Sequence, residues 1–434
     1  MRKVVLANIE SLSLGLMILL LPFQNTIIGA TALGFLGKSP SFIFIAILLF
    51  LSFLKFSYKI KPIERMKFFV IFYFLVVNFI SGIYFFDESS YGRPLFIKGL
   101  NLLFLNLLFL FPFFYSVNFD NKKYKHLILL SFFISIVGVV FGDILHFGFV
   151  EYGPFQMSER LSPRPRGFSY EASMLAATIF PLIFSFFCLR NKSKDYSVYA
   201  ICIFFAVAVF TSSKGAIVTI ILANIFSYIF NKRLFTLKGL FFLIVFSSCV
   251  AVLSSFLIEH FLIDIKDNTS VATRVVCVLT AIFSLLQNPF GVGYFGFLHA
   301  FENNISEAIS FVNSMSPVKL NMYEAKGYVT AASDVAIGTK SFFWNNAICF
   351  GWPFVILFFL YVLDVVKKCR IYGRKDLELA FWFVIISLFS FVEGIGLYSI
   401  SLFLTVLSYE IRKDKEICIR ECESIKENHY VLCK

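Results

Sequence analysis

The sequence predicts an all-α integral membrane protein of about twelve transmembrane helices with one large periplasmic loop, and three observations carry that prediction. The first is composition: 59% of the 434 residues are hydrophobic, only 15% are charged, and the mean hydropathy is +0.81. A soluble chain of this length would need an unusually large core to bury that much apolar surface. The second is run length, because the chain repeatedly offers the apolar stretches of about 18 residues that a bilayer selects. The third is the placement of basic residues between those stretches, which follows the positive-inside rule.

Taken in order, the apolar runs place spans at 11–30, 41–55, 68–86, 99–116, 127–149, 171–189, 197–211, 215–230, 239–258, 343–366, 377–392 and 395–410. Arg2 and Lys3 put the N-terminus in the cytoplasm. The loops holding Lys59, Lys61 and Lys67, then Lys122 to Lys125, then Arg190 to Lys194, then Lys232 to Lys238, and finally Lys367 to Lys375 all fall on the same side. Under this threading 27 of the 39 Lys and Arg are cytoplasmic and 12 are outside, and moving the count by one helix would invert that bias. The first span carries Glu10 near its start and no convincing small-residue cleavage site follows, so it reads as a helix rather than a signal peptide. The net charge of +12 belongs to this topology and does not imply nucleic acid.

The domains expected are helices one to five over 1–149, helices six to nine with an Arg-rich outer loop over 150–258, a large outer loop over 259–342, three further helices over 343–410, and a cytoplasmic tail over 411–434. Within the large loop, 275–286 is apolar but short, and Asn288-Pro289 stops it. It reads as an interfacial or re-entrant helix. Of nine Cys only Cys277 falls outside, so no disulfide framework is implied. Cys418 and Cys422 alone make a poor metal site, and no metal is expected.

Long outer loops usually carry function. Arg160, Arg164 and Arg166 crowd the mouth of helix six on the side that should be poor in cations. Guanidinium forks grip phosphate oxygens at two points, and lipid headgroups would also draw them. Pro163 and Pro165 stiffen the strand that presents them, and Gly167 allows a close turn. Glu171 opens helix six, either as a favourable N-terminal carboxylate or as a base or arginine-orienting partner. Lys214 sits in a tight turn before helix eight, as a snorkelling side chain or as a further cation at the site, and Arg274 opens the short apolar helix. Gly291, Gly293 and Gly296 are no dinucleotide fingerprint, since no strand or βαβ unit surrounds them. The aromatic residues Tyr294, Phe295, Phe297, Tyr323, Tyr328 and Trp344 read either as sugar platforms or as the loop's own core.

The segments Arg164-Pro-Arg-Gly-Phe-Ser-Tyr-Glu-Ala-Ser, Thr211-Ser-Ser-Lys-Gly-Ala, and Arg274 followed by Asn288-Pro-Phe-Gly-Val-Gly resemble the O-antigen ligase/polymerase superfamily in identity, order and outward placement. The resemblance covers about residues 150–360 and implies a GT-C-like, metal-independent lipid-linked glycosyltransferase of the bacterial inner membrane, with no cofactor. It implies Arg166 and Arg274 as ligands of an undecaprenyl diphosphate, with Arg164 and Lys214 beside them, and Glu171 as the acidic motif residue. Donor and acceptor would both be lipid-linked glycans, and a chain-length regulator would be a partner.

The ligase branch carries a His and a small polar residue, the latter ten positions before a Gly. Here Lys340-Ser341 stands in that register before Gly351, so the His is absent. An imidazole base is therefore missing, which favours the Wzy-type polymerase branch and leaves the base open among Glu171, Asp264, Asp267 and Asp334. Lys340 and Arg160 remain further candidates. A flippase or other transporter is the reading from another class. It expects similar halves and mid-span charges, and neither is evident here.

Overall fold

The computed structural model describes residues 2–24, 39–55, 62–107, 122–140, 166–169, 172–190, 214–230, 269–315, 320–330, 337–390, 392 and 398–432. Thirteen helices lie among them: α1 (Arg2–Leu20), α2 (Ser41–Lys55), α3 (Pro62–Tyr84), α4 (Leu95–Leu107), α5 (Lys122–Val139), α6 (Ala172–Arg190), α7 (Lys214–Phe230), α8 (Thr269–Gln287), α9 (Gly293–Met315), α10 (Tyr323–Thr330), α11 (Phe342–Ile371), α12 (Lys375–Ser390) and α13 (Tyr398–Leu432). A two-stranded antiparallel hairpin, β1 (Ser89–Ser90) and β2 (Arg93–Pro94), joins α3 to α4. By length and composition, one described helix, α11, is long and apolar enough to cross a membrane. Shorter apolar stretches of 10–17 residues run through α1 to α4 and α6 to α8. The expected spans 197–211 and 239–258 lie outside the described residues.

Two packing clusters share α11. The first joins α1, α2, α5, α6, α7, α12 and α13 to the C-terminal half of α11, and the second joins α3, α4, α8, α9 and α10 to its N-terminal half. In the first, Phe180 of α6 stacks on Phe383 of α12 at 4.0 Å, and Cys188 lies within electrostatic reach of Arg374 and Asp376. The two helices are therefore antiparallel. Pro181 interrupts the ladder of α6 and orphans the Ala177 carbonyl. Ser399 of α13 donates its hydroxyl to that carbonyl at 3.3 Å.

The second cluster is organised by a break in α11. Gly351 adopts φ 65°, ψ −158°, and Pro353 follows two residues later. The turn between α8 and α9 docks there through a reciprocal pair of bonds. Trp352 N donates to Pro289 O at 2.8 Å, and Val292 N donates to Ile348 O at 3.3 Å. The Tyr73 hydroxyl of α3 lies 2.8 Å from Phe290 O and 2.9 Å from Phe350 O. Backbone groups freed by the break are thus satisfied by the turn and by α3, as a buried irregular segment requires. Gly291 lies in this turn at φ +82°, pressed against the α11 backbone, whereas Gly293 opens α9 and Gly296 lies within it. From there α9 climbs alongside α3, with Tyr294 N bonded to Asn78 Oδ1 at 2.9 Å and Ser90 of β1 donating to Glu302 in the middle of α9.

Large apolar side chains stand exposed along single helix faces. On α3 these are Phe72, Leu75, Phe79 and Ile83, and on α11 they are Ile356, Phe359, Leu360 and Leu363. The tail expected from residue 411 is helical, continuing α13 to Leu432.

Candidate functional site

The two ends of the α11–α12 pair differ in character. At one end Arg374 is a hub, bonded to Asp376 at 2.9 Å, Glu410 at 3.0 Å and Asp414 at 3.1 Å, while Arg370 pairs with Glu378 at 2.9 Å. Burial opposes the charge on Arg374, but the hydrogen bonds and charge of Asp376 and Glu410 outweigh it and hold the guanidinium more firmly protonated. This ties the α11–α12 turn to α13.

The other end carries a different constellation. Segment 337–341 is fastened to α12: the Ser341 hydroxyl lies 2.9 Å from Leu388 O and 2.8 Å from Phe389 O, and Phe342 N donates to Val392 O at 2.6 Å. Thr339 N donates to Asn345 Oδ1 at 2.9 Å. Between these anchors Lys340 is held at φ +58°, a left-handed conformation that costs a side-chain-bearing residue roughly 1–2 kcal/mol. Its Nζ lies 3.7 Å from Glu324 Oε1 and 6.0 Å from the ring centroid of Tyr328. Glu324 also accepts the Thr273 hydroxyl at 3.1 Å and the Tyr328 hydroxyl at 3.2 Å. Lys340 and Glu324 are 28% and 30% exposed, and a pair that open returns about 0–1 kcal/mol. Taken alone, this ion pair returns less than the backbone conformation costs, and a left-handed residue beside an oriented carboxylate is a candidate for function.

Local sequence explains the delivery of Glu324. Asn321 Oδ1 accepts Tyr323 N at 3.1 Å at the start of α10. Ala325 and Tyr328 then form its buried face, with buried Met322 just ahead of the helix. Four residues apart, Glu324 and Tyr328 meet on neighbouring turns. Burial pushes the Tyr328 phenol up, with Lys340 pulling against it. The phenol therefore remains a hydrogen-bond donor.

Arg274 follows Thr273 on α8 and donates to Ser390 O at 3.3 Å, at this same end of α12. Arg166 is buried just ahead of α6. Its turn is locked by Gly167 at φ +55°, by Phe168 packed on Phe23 at 5.0 Å, and by Gln24 N donating to Phe168 O at 3.0 Å. Since α6 runs antiparallel to α12, Arg166 opens from the end that holds Arg274 and Lys340. Lys214 begins α7. Arg160, Arg164, Glu171, Asp264, Asp267 and Asp334 lie outside the described residues.

Of the six aromatic residues, Tyr294, Phe295, Phe297 and Tyr328 are core, Trp344 packs partly buried against that core, and Tyr323 is exposed. Cys277, expected in an exported loop, is buried with its thiol 3.5 Å from Gly338 O. Sequence reasoning missed Glu324. An acidic residue in a short polar helix carries no signal until Thr273, Tyr328 and Lys340 converge on it. Among the described residues no cluster of His, Cys, Asp and Glu would hold a metal ion.

No family model matches this sequence. The chain is similar, at 27% identity over 397 residues, to an uncharacterized 49.5 kDa protein in the cps region of Klebsiella pneumoniae. The match covers 88% of this chain and 87% of that protein.

Proposed function

We propose that the chain is an inner-membrane polymerase of polyprenyl-diphosphate-linked oligosaccharide repeat units. It transfers a growing glycan from its undecaprenyl diphosphate to a new lipid-linked repeat. The feature that supports this reading is that Arg166, Arg274 and the strained Lys340 all lie toward one end of the α6–α12 pair, opposite the Arg370–Arg374 end. The similar protein belongs to a capsule polysaccharide region, which supports the substrate class.

The membrane setting draws support from the exposed apolar faces of α3 and α11, since a soluble monomer rarely exposes such stripes. Beyond the break at Gly351, α11 runs unbroken to Ile371 over roughly 30 Å, about the thickness of a bilayer's hydrocarbon core. The basic residues at 367–375 then face the cytoplasm and Lys340 the periplasm. In this reading α8 and α9 form a re-entrant hairpin. Their turn meets α11 at Gly351, about 14 Å in from Phe342.

The chemistry follows from the leaving group. Negative charge grows on the diphosphate oxygen as its bond to the anomeric carbon breaks, and a cation fixed at that point stabilises the transition state by roughly 3 kcal/mol. Arg166 and Arg274 supply two-point donors, with Arg164, Arg160 and Lys214 contributing positive charge around them. Glu171 orients one of the arginines. A single displacement inverts the anomeric centre.

A second reading, transfer of glycan to a lipid A-core acceptor, is favoured by one observation. Lys340-Ser341 and Gly351 keep the spacing of the ligase pattern, and both ends of that spacing have unusual backbone.

The test is the polymer formed by purified protein from lipid-linked repeats without an energy source. Arg166→Ala and Arg274→Ala should each leave single repeats, and Arg→Lys at either position should recover only part of the ladder, because an ammonium lacks the planar fork. Unchanged ladders from all four variants at matched protein levels refute the reading. Transfer to lipid A-core without lengthening selects the ligase, and movement across the bilayer without lengthening selects a flippase.

A further inference from the structure

We infer that Glu324 is the general base of the transfer, taking the proton from the attacking sugar hydroxyl; this rests on the glycosyl-transfer reading above. Three features of the site point to it. Its carboxylate is oriented by donors from two helices, Thr273 Oγ1 on Oε2 at 3.1 Å and the Tyr328 hydroxyl on Oε1 at 3.2 Å. At 30% side-chain exposure it is reachable, unlike Glu378 and Glu410, which are 1% and 5% exposed and consumed by arginines at the opposite end.

The third feature is position. Thr273, which orients Glu324, directly precedes Arg274, so one turn of α8 aims one residue at the carboxylate and the next toward the proposed diphosphate site. Lys340 closes the site from the other side, with its backbone held in the left-handed region by the Ser341 and Thr339 anchors. Among the described residues, the titratable and charged groups that the structure sets on Glu324 include Lys340 from the 337–341 segment and Tyr328 from α10, while Arg274 and Cys277 of α8 lie on Ser390 O and Gly338 O.

The step balances without a co-reactant. The acceptor oxygen bonds to the anomeric carbon of the donor as the bond from that carbon to the diphosphate oxygen breaks. The electron pair leaves with the diphosphate. The hydroxyl proton passes to the Glu324 carboxylate and from there to bulk water.

The experiment measures the initial rate of glycan lengthening by purified protein, per mole folded, across pH 4 to 9. Wild type should lose rate toward acid pH as the base is protonated. Glu324→Gln preserves size and an acceptor oxygen; its rate should fall by about 10²–10⁴-fold and the acid limb should disappear. Binding of the lipid diphosphate product should persist. A second variant, Glu324→Ala, should regain rate with added formate, which supplies the missing carboxylate, whereas Glu324→Gln should not. A Glu324→Gln enzyme with the wild-type rate and acid limb overturns the inference while leaving the polymerase reading intact. Should Glu324→Gln fail to accumulate, absence of formate rescue in Glu324→Ala overturns it instead. Wild type that lengthens nothing removes both.

Discussion

Replacing Gly351 by Ala tests the joint on which both clusters depend. At φ 65°, ψ −158° the residue occupies a region open essentially to Gly alone, and a side chain there costs about 1–3 kcal/mol. A Cβ would stand 2.1 Å from Pro289 O and 2.6 Å from both Gly291 N and Phe290 C. All three are backbone atoms, so no side chain can swing aside. The α8–α9 turn must withdraw instead, breaking the bonds from Trp352 N to Pro289 O and from Val292 N to Ile348 O. Each buried group left unsatisfied costs about 1–3 kcal/mol. Counting one unsatisfied group per bond, the substitution should therefore cost roughly 3–9 kcal/mol, a large part of a typical folding free energy. Gly373 supplies the control. Its φ of +67° is nearly the same, but nothing lies within 4 Å of a Cβ there. Gly373→Ala should cost about 1–2 kcal/mol. Thermal unfolding of both variants in detergent, with the folded fraction checked by gel filtration, should show a several-fold larger loss for Gly351→Ala. Equal losses would refute the close backbone contact between the turn and α11.

Lys340→Gly should relieve backbone strain of roughly 1–2 kcal/mol, so thermal stability should hold or rise while polymer synthesis falls. A parallel fall in stability would mark Lys340 as a structural residue. Lys340→Gln should lower polymer yield at least about tenfold at normal abundance if the ammonium belongs to the site. Arg374→Ala removes the cation shared by buried Glu410 and Asp414 and should cost about 3–5 kcal/mol in thermal unfolding. Because the folded state raises the pKa of Arg374, that contribution is complete at neutral pH and is lost only in strong alkali, so the destabilisation should be constant from pH 6 to 9. Single cysteines at Asn303 and Lys326 should label from the periplasm, and those at Arg370 and Lys415 from the cytoplasm. Labelling of Arg370 from outside would reverse the assigned ends of α11.

Composition and order were enough for the helical architecture, since apolar runs and the basic residues between them report directly on what each segment packs against and where it stops. The starts of α2, α6, α7 and α11 fall within one residue of expectation. The turn at Gly167 was legible for a local reason: a turn-forming glycine beside an apolar run declares itself. The break at Gly351 was not legible as a joint, because its partners Pro289 and Val292 are distant in the chain and its carbonyls are satisfied only when the α8–α9 turn arrives. The same holds for Glu324, which is an ordinary surface acid in sequence. It becomes an oriented carboxylate only when Thr273, Tyr328 and a left-handed Lys340 converge from three segments. Hydropathy is a property of each segment alone, whereas hydrogen-bond satisfaction and strain depend on which segments meet, and only the tertiary fold decides that.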